Sequence, residues 1–246
     1  MSNATATTGT GCFYGVGVGP GDPELLTLKA LRLIKDSAVV SYLSNAEGHS
    51  QAWGIANAAL ELSGASCAAK HISVPMPMVI QRAPANAAYD KGAAEIRECL
   101  EAGQDVVFLC EGDPLFFGSF SYLLERLESE FTCKVVPGIS SVNAAASALA
   151  LPLTMQQESF AVVSGRHSDE QLAEALTDHD SVVIMKAGQA RPRILAQLEA
   201  TGRLNEARYL EYIGRDNQQT MPASELVNEV GPYFSLFVVV RGNRPS

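Results

Sequence analysis

The sequence predicts an α/β fold of two domains, each built on a mostly parallel or mixed sheet. Three observations carry that expectation. Short apolar, β-branched runs alternate with helical patterns along the chain. The alternation restarts near Leu151-Pro152-Leu153. Three of the apolar runs lead straight into glycine-containing turns. In a parallel sheet the carboxyl ends of the strands share one edge, and ligand crevices form there.

In the first domain, residues 12–137, the apolar runs place strands at 13–18, 38–42, 70–74, 106–110 and 133–136. Leu25, Leu26, Leu28, Leu31 and Ile34 recur at helical spacing, with Lys29, Arg32 and Lys35 toward the later half, so a helix is expected over 23–35. Further helices fall at 50–62, 87–102 and 119–127, the last with Ser119 as its candidate cap. Residues 138–157 read as a linker carrying a packing helix at 140–150, whose Ala and Ser suit close contact between layers. The second domain, 158–246, offers strands at 160–164, 181–186, 208–213 and 234–240, between helices at 169–176, 192–200 and 223–230. Residues 1–11, small and polar, read as a short disordered tail.

The run from Tyr14 to Thr27 is the most informative stretch. Its glycines permit positive φ and close backbone approach, Asp22 is placed to cap, and Pro23 suits a first helical position. It is not a dinucleotide fingerprint, because counting from Gly15 puts Pro20, which has no N–H, at the last glycine. It is not a phosphate-binding P-loop either, because Gly21-Asp22-Pro23 sets a carboxylate where a phosphate would sit. A turn of purely structural purpose is the alternative for this run taken alone. It has companions, however: 106–110 runs into Glu111-Gly112-Asp113-Pro114, and 133–136 runs into Pro137-Gly138-Ile139-Ser140-Ser141.

Composition narrows the function. With 246 residues, 47% hydrophobic and 18% charged, the chain can bury a sizeable core. The net charge of −9 and scattered Lys and Arg argue against nucleic acid as partner. Cys12, Cys67, Cys99, Cys110 and Cys133 are odd in number with no Cys-x-x-Cys pair, and the four histidines lack i, i+4 spacing, so neither disulfides nor a metal site is expected. There is no signal-peptide pattern and no long apolar run, which reads as a cytoplasmic protein without membrane attachment.

The segments Gly17-Val18-Gly19-Pro20-Gly21-Asp22-Pro23-Glu24-Leu25-Leu26-Thr27, Glu111-Gly112-Asp113-Pro114 and Val135-Val136-Pro137-Gly138-Ile139-Ser140-Ser141 resemble, in order and spacing, the three signatures of the tetrapyrrole methylases. These are the S-adenosylmethionine-dependent methyltransferases of sirohaem and cobalamin synthesis. The resemblance extends over residues 12–241. The Val74-Pro75-Met76-Pro77-Met78 segment, the run from Leu109 to Phe120, and Ile184-Met185-Lys186 are most similar to the branch that methylates C20 of precorrin-2 or its cobalt complex. Relatives acting on uroporphyrinogen III carry Gly where Glu111 stands. Phe117 is a departure, since that branch often has Tyr there.

The resemblance implies two α/β domains with the cofactor in a cleft between them, S-adenosylmethionine as methyl donor, and a homodimer. Pro20, Glu111, Gly112, Asp113, Phe116, Ser140, Ser141, Met185 and Lys186 would surround the donor, with Tyr212, Ile213 and Gly214 a weaker match. Taken singly, Phe116 and Met185 also fit core packing, and Asp113 fits turn formation. Methyl transfer to a meso carbon releases a proton, and Asp22 is the candidate to receive it, with helix capping as its other reading. The implied substrate bears eight carboxylates, so an acidic protein must hold it by close cations; Arg82, Arg166, Lys186 and Arg191 are the candidates. Two other functions fit the same residues: methylation of another tetrapyrrole or ring position, and tetrapyrrole binding without catalysis.

Overall fold

Every strand of the first sheet runs the same way. In the computed structural model, which describes residues 9–77 and 82–242, strands β1 (Phe13–Gly17), β2 (Val39–Ser44), β3 (Lys70–Pro75), β4 (Val106–Cys110) and β5 (Cys133–Val136) stand in the order β3-β2-β4-β1-β5. Each neighbouring pair is parallel. Both faces are covered, which is why β4 reads Val-Val-Phe-Leu-Cys without alternation. Phe108 of β4 packs with Ile96 and Leu100 of α3 (Arg82–Glu101) and Phe120 and Leu123 of α4 (Phe120–Leu127). Val107 and Leu109 point the other way, toward Ile34 of α1 (Leu28–Asp36) and Ile55 and Leu60 of α2 (Gln51–Leu62).

The chain divides after Ser140 into two units, and the second begins at Ser141. Its elements are α5 (Ser141–Leu149), β6 (Phe160–Ser164), α6 (Asp169–Asp178), β7 (Ser181–Met185), α7 (Arg191–Ala200), β8 (Ala207–Glu211), β9 (Gln219–Pro222) and β10 (Ser235–Val240). The sheet order is β6-β7-β10-β8-β9, with β6 and β7 parallel and the remaining pairs antiparallel. Because β10 opposes both β7 and β8, strands β6, β7 and β8 run in one direction. Leu172 and Leu176 of α6 and Ile194 and Leu198 of α7 cover one face, against Val182, Tyr209 and Phe237. On the other face Val142, Ala144 and Ala145 of α5 pack against Val183, Leu210 and Val238, so the expected packing helix belongs with the second sheet.

Several expectations are corrected. The helix expected over 23–35 is two elements: Asp22 caps a single 3-10 turn, Pro23–Leu25, then Leu26 is extended. Thr27 starts α1, its hydroxyl accepting the Ala30 N–H at 3.2 Å. Ser119 has helical backbone and makes no side-chain cap. Only a 3-10 turn, Ala223–Glu225, forms where a helix was expected over 223–230. Strand β9 was not anticipated. Of the expected tail, residues 1–8 lie outside the described residues, and the Gly11 N–H is bound to the Leu100 carbonyl at 2.8 Å. Met78 also lies outside them. Among the described residues no helix is long and apolar enough to cross a membrane.

Candidate functional site

The order β4-β1-β5 sets the three glycine turns side by side at one sheet edge. The first two turns pair directly, the Gly112 N–H donating to the Gly19 carbonyl at 2.8 Å and the Gly19 N–H to the Gly112 carbonyl at 3.4 Å. This approach excludes side chains. A Cβ on Gly17 would lie 2.5 Å from the Gly112 oxygen, and one on Gly138 would lie 2.1 Å from it. Asp113 fastens the third turn, one carboxylate oxygen accepting the Leu115 N–H at 2.9 Å and the other the Gly138 N–H at 3.1 Å. Its turn-forming reading is therefore realised in the structure, across two turns rather than within one.

Gly112 differs from its neighbours. Its φ of +66° demands glycine, yet a Cβ there would meet nothing nearer than Ser140 Cα at 3.8 Å. A Cβ there would make ordinary contact with Ser140 Cα and Ile139 O, so the backbone angle and not crowding selects glycine at this position. Glu111 is half-buried, while Phe116 and Phe117 are exposed with their rings edge to face at 5.2 Å, Phe117 at φ +55°. Pro20 is half-buried beside Gly19. Asp22 is half-buried two residues further on and accepts the Glu24 N–H at 2.9 Å. Cys110, the last residue of β4, carries a thiol pushed up by burial, which leaves it unsuited to act as a nucleophile.

A second edge is formed where β6, β7 and β8 end. The Gly165 N–H donates to the Met185 carbonyl at 2.7 Å and the Arg166 N–H to the Ser164 hydroxyl at 3.2 Å, which knits the first two of these turns. Lys186 and Tyr212, which directly follow β7 and β8, hold φ of +55° and +52°. Burial, and then the charge of Arg166, keep the Lys186 ammonium below the usual lysine range. The Arg166 side chain is exposed. Met185 packs against the α5 face, and Ile213 is buried in the same cluster, so a ligand can reach Ile213 only through its backbone.

Of the expected substrate contacts, one has partners inside its own unit and another has its side chain outside the described residues. Arg191 is engaged within its own unit: its guanidinium donates to the Glu229 and Val230 carbonyls, pairs with Glu211 at 3.6 Å, and lies 5.5 Å from the Tyr209 ring centroid. Arg82 opens α3, but its side chain is outside the described residues. Gly17 and Gly138, not singled out as site residues, prove essential to the first edge; their signal was present in the motifs themselves. Among the described residues no cluster of His, Cys, Asp or Glu could hold a metal ion.

The fold and the two edges define a two-unit α/β protein suited to small ligands, one edge offering main chain and the other cations. A sequence profile described as Tetrapyrrole (Corrin/Porphyrin) Methylases matches residues 12–226. The chain is 36% identical over 240 residues to "Cobalamin biosynthesis protein CobIJ" of Mycobacterium tuberculosis (strain ATCC 25618 / H37Rv), covering 95% of this chain and 47% of that protein. It therefore spans about half the length of that relative. It is 32% identical over 241 residues to "Precorrin-2 C(20)-methyltransferase" of Sinorhizobium sp, covering 94% of this chain and 96% of that one. Among solved structures it is similar to uroporphyrin-III C-methyl transferase from Thermus thermophilus complexed with S-adenyl homocysteine, at 26% identity and a TM-score of 0.67, covering 94% and 97% of the two chains. The chain belongs to the tetrapyrrole methylases.

Proposed function

We propose that the protein is an S-adenosylmethionine-dependent C-methyltransferase that methylates C20 of precorrin-2 or of its cobalt complex. The observation that carries this reading is the junction of the three glycine turns at the ends of β4, β1 and β5, where main chain approaches main chain without intervening side chains. The residues fit the donor. Adenosine and a thioether stem need apolar contacts with a few backbone donors and acceptors. Gly112, Ser140 and Ser141 supply the main-chain groups, Phe116 and Met185 the apolar ones, and Pro20, Glu111, Asp113, Tyr212, Ile213 and Gly214 complete the set by resemblance. When bound, the donor supplies an electrophilic methyl on sulfonium.

The chain's own task is positioning. Bringing C20 to about 3–3.5 Å from the methyl in line with its bond to sulfur provides much of the acceleration without covalent help. Arg166 and Lys186 orient the ring by pairing with peripheral carboxylates. As the new carbon–carbon bond forms, the C20 proton leaves to Asp22, whose carboxylate is held by its cap to the Glu24 N–H. We take the active species to be a homodimer, which light scattering tests.

The decisive experiment offers metal-free precorrin-2 and its cobalt complex separately and locates the incorporated methyl. One methyl at C20 on either substrate is expected; methylation elsewhere, or donor binding without turnover, overturns the reading. Asp22→Asn keeps the cap but removes the base, so turnover should fall on the order of a hundredfold with stability unchanged. Turnover equal to wild type would reduce Asp22 to a capping residue.

A further inference from the structure

The two sheets have four outer strands among the described residues, and three of them carry features that discourage a further strand. Strand β3 holds Lys70 exposed and ends at Pro75, β5 holds Lys134 exposed and is followed by Pro137, and β9 ends at Pro222. Charge and proline on an outer strand guard against pairing with another chain. Strand β6 has neither: Phe160-Ala161-Val162-Val163-Ser164 is neutral, and its first four residues are half-buried. Phe160 and Val162 pack with the α5 cluster and Val163 with the α6 cluster, so both faces stay apolar out to this last strand.

The strand is also held in place. Asp180 accepts the Ser159 N–H and hydroxyl at 2.9 Å each, and the Gly165 N–H donates to the Met185 carbonyl at 2.7 Å. The Ser181 N–H donates to the Ser159 carbonyl at 3.1 Å, so by alternation Ala161 and Val163 turn their main-chain groups to β7, and Phe160 and Val162 turn theirs outward. No strand lies on that side among the described residues. We infer that β6 is the surface through which two copies of this chain pair, antiparallel about a twofold axis at Ala161. This names the contact of the homodimer taken above and rests on that reading. In this register Phe160 and Val162 of the partner subunit exchange both their hydrogen bonds, and the axis repeats the pair. A residue near such an axis meets its own copy or a near neighbour's, a condition that a neutral strand satisfies and that Lys70 or Lys134 would not. Antiparallel pairing also turns the Glu158 end of each β6 toward the Arg166 end of the other, opposite charges on an otherwise acidic chain. To a different protein β6 offers no charge to recognise, whereas it complements its own copy along its length.

Ala161→Cys tests the register, because Ala161 and Ala161 of the partner subunit form a non-hydrogen-bonded pair with Cα atoms about 4.5 Å apart, within disulfide reach. Diamide, which takes up the two protons and two electrons of the joined thiols, should convert this variant to a covalent dimer on a non-reducing gel. Wild type, with its five cysteines, and Thr220→Cys on β9 should remain single chains. Ala161→Lys sets two ammonium groups against each other; light scattering should show its dimer dissociation constant raised by roughly tenfold or more, with circular dichroism unchanged. The cysteine variant decides alone where Ala161→Lys does not fold. A dimeric wild type whose Ala161→Cys variant does not cross-link, or whose Thr220→Cys variant cross-links equally, overturns the inference and leaves the homodimer on another surface, as does a folded Ala161→Lys that dimerises like wild type. A monomeric wild type overturns the homodimer reading itself.

Discussion

The two sheet edges are made of opposite materials. At the first, Gly17, Gly112 and Gly138 bring three stretches of main chain together, and the Asp113 carboxylate takes backbone N–H groups of two of the turns. At the second, Lys186 and Tyr212 occupy left-handed backbone that a glycine would adopt freely. Keeping a side chain there costs about 1–2 kcal/mol per residue. The contrast is one of backbone use: at the first edge side chains are absent where the turns meet, and at the second they are kept on left-handed backbone.

The sharpest way to break this contrast is Gly138→Ala. Its methyl would lie 2.1 Å from a carbonyl oxygen in the paired turn, which cannot yield without parting the turns. A loss of about 3 kcal/mol or more in urea denaturation is expected, with S-adenosylhomocysteine binding abolished. Gly112→Ala should lose only about 1–2 kcal/mol, because its φ and not its surroundings opposes the substitution. Equal stability of Gly138→Ala and wild type would refute the close approach.

A smaller effect separates structural from ligand-binding cations at the second edge. Arg191→Met leaves Glu211 unpaired in a pair whose side chains are each 12% exposed, and should lower stability by about 2–3 kcal/mol. Tetrapyrrole affinity of the folded variant should stay near wild type, as fluorescence titration would reveal.

The mildest effect is expected of Lys186. Its ammonium can pair with a carboxylate only while protonated, and its pKa is lowered by burial and by Arg166. Tetrapyrrole affinity should therefore fall, by roughly tenfold or less, as pH rises through a value below the ordinary lysine range. Stability moves the other way: a lysine with a lowered folded pKa disfavours folding while charged, so stability rises over the same interval. Lys186→Met should remove both inflections.

Strand β4 was legible because layers on both faces make it a short, continuous apolar run, and β4, β5 and β6 fall at the bounds their sequences imply. Strand β9 hid because Gln219-Thr220-Met221-Pro222 is a largely exposed outer strand with no apolar signature. The broken helix at 23–35 turned on one competing signal, a second capping residue, Thr27, inside an otherwise periodic apolar pattern. At the candidate site, motifs located the turns but not their contacts. Arg191 looked like a loop cation because its partners, Glu211, Glu229 and Val230, are distant in sequence.

The position of β1 also sets a timetable for synthesis. Its two sheet neighbours are β4 and β5, so a strand complete by Gly17 finds no partner until Val106–Cys110 and Cys133–Val136 have left the ribosome. Strands β2 and β3, by contrast, can meet each other long before. At about 5–20 residues per second the wait for β4 lasts roughly 5–19 seconds, during which β1 has no strand beside it. The junction of the glycine turns, which needs β5 in place beside this strand, is accordingly among the last features of the first unit to form.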